Sequence, residues 1–325
     1  MLRHIPKLLV LLALTVIPFA SNSASHAQSQ TIRIGSKNFT EQLILGEMYA
    51  QLLENAGFTV ERNLNLGGTD VAHQALTAGE IDLYPEYTGT GLVAILNLPV
   101  PTADTVASPV ASPGASPVAS PVASASIDQQ VYDTVSAEYL SQFGLVWLDQ
   151  SSFNNTQALA MKRDEAEARG IVTISDMVAQ AGDLTLAAVP DFEQREDGLV
   201  GLNTVYGDFS FAEVQVFDPG IKYQSFLDGD AQVVLAFSTD GQIAGYDLVL
   251  LEDDLSLWPP YHVAPVISQT VLDANPQIAD LLNPLAQLLT NEAMADLNWL
   301  VDGPEKQEPA DVARAYLQAN GLLPA

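Results

Sequence analysis

Short runs typical of β-strands alternate with runs that have helical periodicity along most of this chain, and this alternation limits the possible folds more than any other feature. The first strand-like run is Thr31 to Gly35, and Glu41 to Asn55 follows with its apolar residues on one helical face. A second pair follows at Thr59 to Leu66 and Val71 to Thr77. Strands that alternate with helices indicate an α/β fold.

The alternation continues towards the C-terminus. Further strands are predicted at 157–161, 184–189, 213–217, 233–237 and 248–251. Helices are predicted between these strands and at 275–289 and 309–319. This number of elements fits two α/β lobes.

The first residues have the three-part pattern of a secretory signal peptide. Arg3 and Lys7 precede the apolar run Leu8 to Ala20, and small and polar residues then lead to Ala27. The apolar run has about 13 residues, whereas a membrane span needs about 20, so a membrane anchor is the weaker alternative. We predict that residues 1–27 are a signal peptide cleaved near Ala27, and that the protein works in the periplasm or at the cell surface.

The chain contains no cysteine. It therefore has no disulfide bonds, and it lacks the cysteine that is acylated in a lipoprotein. A chain of 325 residues can still bury an adequate core. How an exported protein without a lipid anchor stays near its partners is left open by the sequence.

The formal net charge is −28. Such a surface repels the phosphates of nucleic acid, so a nucleic-acid partner is not expected. The summed field weakly concentrates small cations around the protein. The alternative explanation is that the acidic residues only keep an exported protein soluble.

A repeat of A-S-P-V with small variations occupies residues 107–126. It has no aromatic residue, and its composition is typical of a disordered or polyproline-like loop. We interpret it as an insertion within one domain, although a tether or glycosylated stalk has a similar composition.

The segment from Ile32 to Gly91 contains three motifs at predicted strand-to-helix turns, I-R-I-G-S-K-N-F-T-E-Q-L-I-L-G, L-G-G-T-D and I-D-L-Y-P-E-Y-T-G-T-G. They place Lys37, Tyr87 and Thr90 at these turns. Turn residues carried by a rigid α/β scaffold are typical of a ligand pocket.

Four more motifs follow in order: N-N-T from Asn154, E-Q-R-E-D-G-L from Glu193, D-P-G-I-K-Y from Asp218 and F-S-T-D-G from Phe237. Together with the first three, they resemble the substrate-binding proteins of osmoprotectant ABC importers, the group for glycine betaine, proline betaine, carnitine and choline. The resemblance extends over nearly the whole chain after residue 30.

This resemblance implies an α/β, two-lobed periplasmic-binding-protein-like (type II) fold with two interlobe crossovers. Lobe one is expected to contain residues 31–153 plus 240–325, and lobe two residues 154–239. The ligand is expected in the cleft between the lobes, where hinge closure can bury it.

A quaternary ammonium group donates no hydrogen bond, and proteins surround it with aromatic faces. Tyr87, Tyr223 and Tyr246 match positions that line the aromatic cage in the family. A lone tyrosine is more often an ordinary half-buried residue, and for Tyr246 the two interpretations are balanced.

Many members of the family have another cage tyrosine where this chain has Gln157. Each desolvated aromatic face contributes up to about 2 kcal/mol, so its loss is expected to weaken binding about tenfold unless Phe153, Phe192 or Tyr261 fills the gap. A second hypothesis is that Gln157 donates to a ligand hydroxyl and so favours carnitine-like compounds.

A betaine carboxylate is best bound by charge-assisted donors, which contribute about 1.5 to 3 kcal/mol each. Lys37, Arg195 and the Thr90 hydroxyl match the family's positions for that role, and Asn155 is also expected to touch the ligand. If both cations face the cleft, choline is disfavoured, because its neutral hydroxyl leaves them buried and unpaired. Asp240 is expected to shape the crossover.

The sequence gives little support to an enzyme. After removal of the signal peptide only His73 and His262 remain, without metal-ligand spacing, so neither a metal nor another cofactor is expected. No cysteine nucleophile, G-x-S-x-G elbow or P-loop is present.

We therefore predict a monomeric, non-enzymatic binding protein that captures a quaternary-ammonium osmoprotectant, with glycine betaine as the first candidate. It is expected to deliver this ligand to the permease and ATPase subunits of an ABC importer. Choline or carnitine binding, and a sensor domain that acts with a membrane receptor, are the alternatives.

Overall fold

The computed structural model describes residues 31–101 and 126–325. The predicted signal peptide, residues 1–27, lies outside the described residues, and so does the predicted insertion 107–126 apart from Ser126. Ser126 caps the helix that follows, since its Oγ accepts a hydrogen bond from the Gln129 backbone N–H at 3.3 Å.

The strands of the described residues form two separate five-stranded sheets, ordered β2-β1-β3-β10-β4 and β7-β6-β8-β5-β9. Their bounds are β1 Thr31–Gly35, β2 Thr59–Asn63, β3 Leu83–Tyr87, β4 Leu145–Trp147, β5 Gln157–Lys162, β6 Thr185–Ala188, β7 Glu213–Val216, β8 Val233–Phe237, β9 Leu248–Leu250 and β10 Val263–Ser268.

Helices cover both sheets. Their bounds are α1 Thr40–Asn55, α2 Thr69–Thr77, α3 Thr88–Thr90 with a π-helical continuation Gly91–Ile95, α4 Ile127–Phe143, α5 Arg163–Arg169, α6 Ile174–Val178, α7 Leu199–Tyr206, α8 Lys222–Asp228, α9 Gln242–Gly245, α10 Gln269–Ala274, α11 Gln277–Leu282, α12 Pro284–Leu288, α13 Asn291–Asp302 and α14 Pro309–Ala319. Two 3₁₀ turns occur at Ala181–Asp183 and Pro190–Glu193.

Both sheets mix parallel and antiparallel pairs. β1 is parallel to β2 and β3, and β10 runs antiparallel between β3 and β4. In the other sheet β6 is parallel to β7 and β8, and β5 runs antiparallel between β8 and β9. We call the first sheet with its helices lobe one and the second lobe two. The predicted two-lobed α/β fold is confirmed.

By strand membership the chain passes between the lobes twice, after β4 and before β10. Strand pairing places the second passage later than the predicted boundary at residues 239 and 240. β9 pairs with β5 through Ala160 and Leu250 and so belongs to lobe two. α9, which precedes β9, lies against lobe one: a methyl group added at Gly245 would overlap the Trp299 ring.

β10 was not predicted from the sequence. It is an interior strand, between β3 and β4, yet it contains Pro265, which pairs with Pro85 of β3. Proline cannot donate to a strand ladder and normally indicates an edge strand or a break. A proline also divides the predicted helix 275–289, because α12 starts at Pro284, which has no N–H to continue α11.

Apolar side chains cover lobe one's sheet on both faces. Ile32 and Ile34 pack with Met48 of α1 in one buried cluster. Tyr139 of α4 and Val266 of β10 belong to another. Strands buried on both faces form a rigid platform, and their ends can therefore position side chains for a site. No helix in residues 31–101 or 126–325 is long and apolar enough to cross a membrane.

Candidate ligand-binding cleft

A cleft of about 400 Å³ lies between the lobes and is lined by residues of both. Three strand ends position much of it: Lys37 follows β1, Tyr87 ends β3 and Phe237 ends β8. Ligands of α/β proteins commonly bind outside the carboxyl ends of strands. Seven of the eight predicted site residues line this cleft: Lys37, Tyr87, Thr90, Asn155, Gln157, Arg195 and Tyr223.

Tyr246 is the exception, because the structure does not bring it to the cleft. It is 39% exposed and does not line the cleft. Its ring packs edge-on against Trp299, with 5.4 Å between ring centres. Tyr246 directly follows α9, so the contact that holds this helix on lobe one also carries its ring away from the ligand cleft.

Lys37 is almost fully buried and already has a counter-charge. Its Nζ lies 2.5 Å from Oε1 of Glu86, and the two side chains are 4% and 0% exposed. The Tyr84 hydroxyl donates to the other oxygen of Glu86 at 2.7 Å. Burial lowers the pKa of Lys37, and the Glu86 carboxylate opposes that shift. The charge of Lys37 is therefore balanced inside the protein.

Arg195 is paired as well. Its Nε donates to Oδ1 of Asp197 at 2.6 Å and its Nη2 to Oδ2 at 2.5 Å. This two-point contact is the strong form of an arginine–carboxylate pair. The expectation that choline is disfavoured depended on Lys37 and Arg195 being unpaired in the cleft. Both cations have a carboxylate partner, so this reason against choline no longer applies.

Glu41 is a buried carboxylate at the centre of the interlobe junction, and it was missed from the sequence. Its Oε1 accepts from the Tyr87 hydroxyl at 2.6 Å and the Asn155 amide at 2.8 Å. Its Oε2 accepts from Thr239 Oγ1 at 2.6 Å and the Asn298 amide at 3.1 Å. Burial raises the pKa of Glu41, and these four hydrogen bonds oppose the shift because they stabilise the ionised form.

Tyr223 lies in a second cluster on the lobe-two side of the cleft. Its hydroxyl donates to Oδ2 of Asp240 at 2.6 Å. Lys222 Nζ lies 3.4 Å from the same oxygen, 4.9 Å from the Tyr223 ring centre and 4.5 Å from that of Phe237. An ammonium group of the protein itself therefore occupies these two aromatic faces. Asp240 also accepts from the Phe237 N–H at 3.0 Å, which fits its expected role in shaping the crossover.

Phe39 and Phe237 are further aromatic residues of the cleft that the sequence analysis did not select. Phe39 stacks on Tyr87 at 6.2 Å and on Phe237 at 6.4 Å between ring centres. The second contact joins the two lobes, since Phe39 precedes α1 and Phe237 ends β8. Phe39 belongs to the motif K-N-F-T-E-Q and Phe237 to the motif F-S-T-D-G. Their place in these motifs was the sequence signal by which they could have been found.

Gln157 starts β5 and is engaged within the protein. Its Nε2 donates to the Asp197 carbonyl at 3.1 Å and to the Tyr261 hydroxyl at 3.2 Å. Tyr261 and Phe192 line the cleft, so either ring is available to fill the gap left by the tyrosine that Gln157 replaces. Phe153 is fully buried in the core of lobe one and does not line the cleft.

Comparison with known proteins decides which family these features belong to. A model of the OpuAC family, described as the substrate binding domain of the ABC-type glycine betaine transport system, matches residues 30–319. The chain belongs to this family. OpuAC is a family of transport proteins and not of enzymes.

Two curated relatives and one solved structure agree with membership of the OpuAC family. A glycine-betaine-binding protein of Pseudomonas aeruginosa is 32% identical over 93% of this chain and 91% of its own length. An ergothioneine transport permease/ergothioneine binding protein of Helicobacter pylori is 31% identical over 91% of this chain, which spans only 48% of that longer protein.

The solved structure is that of a glycine betaine/carnitine/choline ABC transporter. It is 26% identical, with a TM-score of 0.66 over 90% of this chain and 99% of that chain. This likeness supports the two-lobed fold and the OpuAC membership together.

Proposed function

We propose that this protein is an extracytoplasmic solute-binding protein that captures a quaternary-ammonium osmoprotectant and delivers it to an ABC importer. The observation that carries the proposal is the combination of aromatic faces with balanced charges in one interlobe cleft. Aromatic faces attract a methylated cation that makes no hydrogen bond. Family membership supports the importer as the partner.

Other side chains of the cleft supply donors for a carboxylate or hydroxyl. Asp197 uses two of the N–H groups of Arg195, and an arginine has five. The remaining donors, together with those of Lys37 and the Thr90 hydroxyl, form the carboxylate clamp of the proposal. Glycine betaine has a methylated cation for the aromatic faces and a carboxylate for these donors, so it is the first candidate ligand. Choline and carnitine are the alternatives.

Delivery follows from closure of the two lobes. A ligand stabilises the closed form only if it binds that form more tightly than the open one. The stacking of Phe39 on Phe237 is one contact that spans both lobes inside the cleft. We also propose that the mature chain acts outside the cytoplasm as a monomer.

Calorimetric titration of the purified protein with glycine betaine, choline, carnitine and ergothioneine tests this function. We expect a dissociation constant on the order of 1 µM for at least one of them, or about −8 kcal/mol. Glycine is the control, because it has the carboxylate of glycine betaine without the methyl groups. If no quaternary-ammonium compound binds, the proposed ligand class is wrong.

The carboxylate clamp has a separate test. Arg195→Gln on its own would leave Asp197 without its cation, so the charge-balanced double variant R195Q/D197N is the better choice. We expect it to weaken glycine betaine about tenfold, on the scale of one charge-assisted hydrogen bond, and to affect choline less. Equal losses for both ligands would show that Arg195 does not bind the carboxylate.

A further inference from the structure

Every tyrosine that lines the cleft donates its hydroxyl to a carboxylate, at 2.5 or 2.6 Å: Tyr87 to Glu41, Tyr223 to Asp240 and Tyr261 to Asp197. This arrangement is not needed to bury tyrosine, because a backbone carbonyl would satisfy the hydroxyl equally well. Tyr84, which does not line the cleft, donates to Glu86 in the same way, so the three carboxylates have to be distinguished by their other partners.

The three carboxylates differ in their other partners. Asp240 also has Lys222, at 3.4 Å, and Asp197 also has Arg195, at 2.5 Å. Glu41 accepts only from neutral hydroxyl and amide groups, and among the described residues no cation lies within ion-pair distance of it. Since Glu41 is 2% exposed, water does little to screen its charge.

We propose that Glu41 is the specificity-determining residue of the cleft: its charge, acting behind Tyr87, selects a ligand group that is positively charged. The inference rests on the proposed function and assigns the ammonium end of the ligand to Tyr87. Glu41 acts in two ways. It attracts a cation directly across a poorly screened interior, and it polarises the phenol that donates to it.

Polarisation of the phenol matters because cation binding by an aromatic face depends on the negative charge of that face. A phenol that donates to a carboxylate shifts electron density towards its ring. Phe39, stacked on Tyr87 at 6.2 Å, extends the apolar surface that methyl groups contact. The Tyr87 end therefore fits a methylated cation in both charge and shape.

The cations near this end do not cancel Glu41. Lys37 Nζ lies 5.3 Å from the Tyr87 ring centre, but Glu86 holds it at 2.5 Å and balances its charge. At the other cluster, Lys222 already covers the Tyr223 face. Among the carboxylates that accept from the cleft tyrosines, Glu41 is the one without a cation within ion-pair distance in the described residues, and the ammonium group belongs beside it.

The experiment compares a cation with its uncharged carbon analogue in the wild type and in Glu41→Gln. Choline is paired with 3,3-dimethylbutan-1-ol, and glycine betaine with 3,3-dimethylbutanoate. The pair whose cation binds the wild type more tightly is used. Affinities are measured by calorimetry, or by NMR titration where binding is weak. We expect E41Q to weaken the quaternary ammonium about tenfold and to leave the carbon analogue unchanged, so that the ratio of the two affinities falls.

Tyr87→Phe removes the hydroxyl and keeps the ring. It should lower the same ratio, and the double variant E41Q/Y87F should lose less than the sum of the single losses, because one interaction is removed twice. Equal losses of both ligands in E41Q, or an unchanged affinity for the cation, would overturn the assignment of Glu41.

Thr239→Val is the matched control, since it removes one donor to Glu41 and keeps the carboxylate and its contact with Tyr87. We expect a lower melting temperature with an unchanged affinity ratio. If T239V changes the ratio as E41Q does, Glu41 acts only by joining the lobes. Failure of the wild type to bind any quaternary ammonium refutes the proposed function, whereas normal binding by E41Q refutes only this inference.

Discussion

The clusters around Tyr87 and Tyr223 are built from the same parts and differ in one charge. Each tyrosine is buried and donates to a carboxylate at 2.6 Å. In the Tyr223 cluster a lysine of the protein lies on the ring and against the carboxylate. In the Tyr87 cluster Lys37 also lies over the ring, 5.3 Å from its centre, but it pairs with Glu86, and the Glu41 carboxylate has neutral partners only. The two clusters therefore differ in whether the carboxylate behind the tyrosine has a cation of the protein beside it.

Replacement of each tyrosine by alanine should separate the clusters most strongly. We expect Tyr87→Ala to weaken quaternary-ammonium binding about 100-fold, through loss of a cation–π contact worth about 2 kcal/mol and of the adjoining packing. Tyr223→Ala should weaken it about tenfold or less, because Lys222 covers that face. Calorimetry on both variants, with circular dichroism to verify folding, provides the comparison. Equal losses would show that the ligand uses both rings and displaces Lys222.

Lys222→Met tests the same difference from the other side. Removal of the ammonium group exposes the faces of Tyr223 and Phe237 and leaves Asp240 without its cation. We expect choline to bind about fivefold more tightly, on the scale of an aromatic or ionic contact, while the melting temperature falls because the partly buried Asp240 carboxylate has lost its cation.

Lys162→Met is the control for this variant. Lys162 Nζ lies 5.5 Å from the Phe226 ring centre and donates to the Leu227 carbonyl, and it does not line the cleft. Its replacement should leave choline affinity unchanged. If K222M weakens choline binding instead, Lys222 positions the cleft wall and does not compete with the ligand.

Tyr246→Ala should have the smallest effect on binding. The residue lies outside the cleft, so we expect an affinity within about twofold of the wild type and a loss of about 1 kcal/mol in stability, since the edge-on contact with Trp299 is removed. Titration and thermal unfolding measure the two quantities. A large loss of affinity with an unchanged melting temperature would return Tyr246 to the ligand site.

Most of the fold could be predicted because strand and helix periodicities are local properties. β1 and β8 have the predicted bounds, and α14 coincides with the predicted 309–319. The exceptions have a long-range cause. β10 contains Pro265 and is nevertheless paired with β3 and β4, both distant in sequence, and β9 joins lobe two through β5, from which it is also distant in sequence.

The chain by itself determined the family, the two α/β lobes and seven of the residues that line the cleft, because motif order and residue type are carried by the sequence. Only the tertiary structure decided how the charges are paired. Lys37 meets Glu86, Arg195 meets Asp197 and Lys222 meets Asp240, whereas Glu41 meets no cation among the described residues. Ion pairs depend on separations of a few ångströms in a poorly screened interior, and several of these partners come together only when the strands and crossovers are in place.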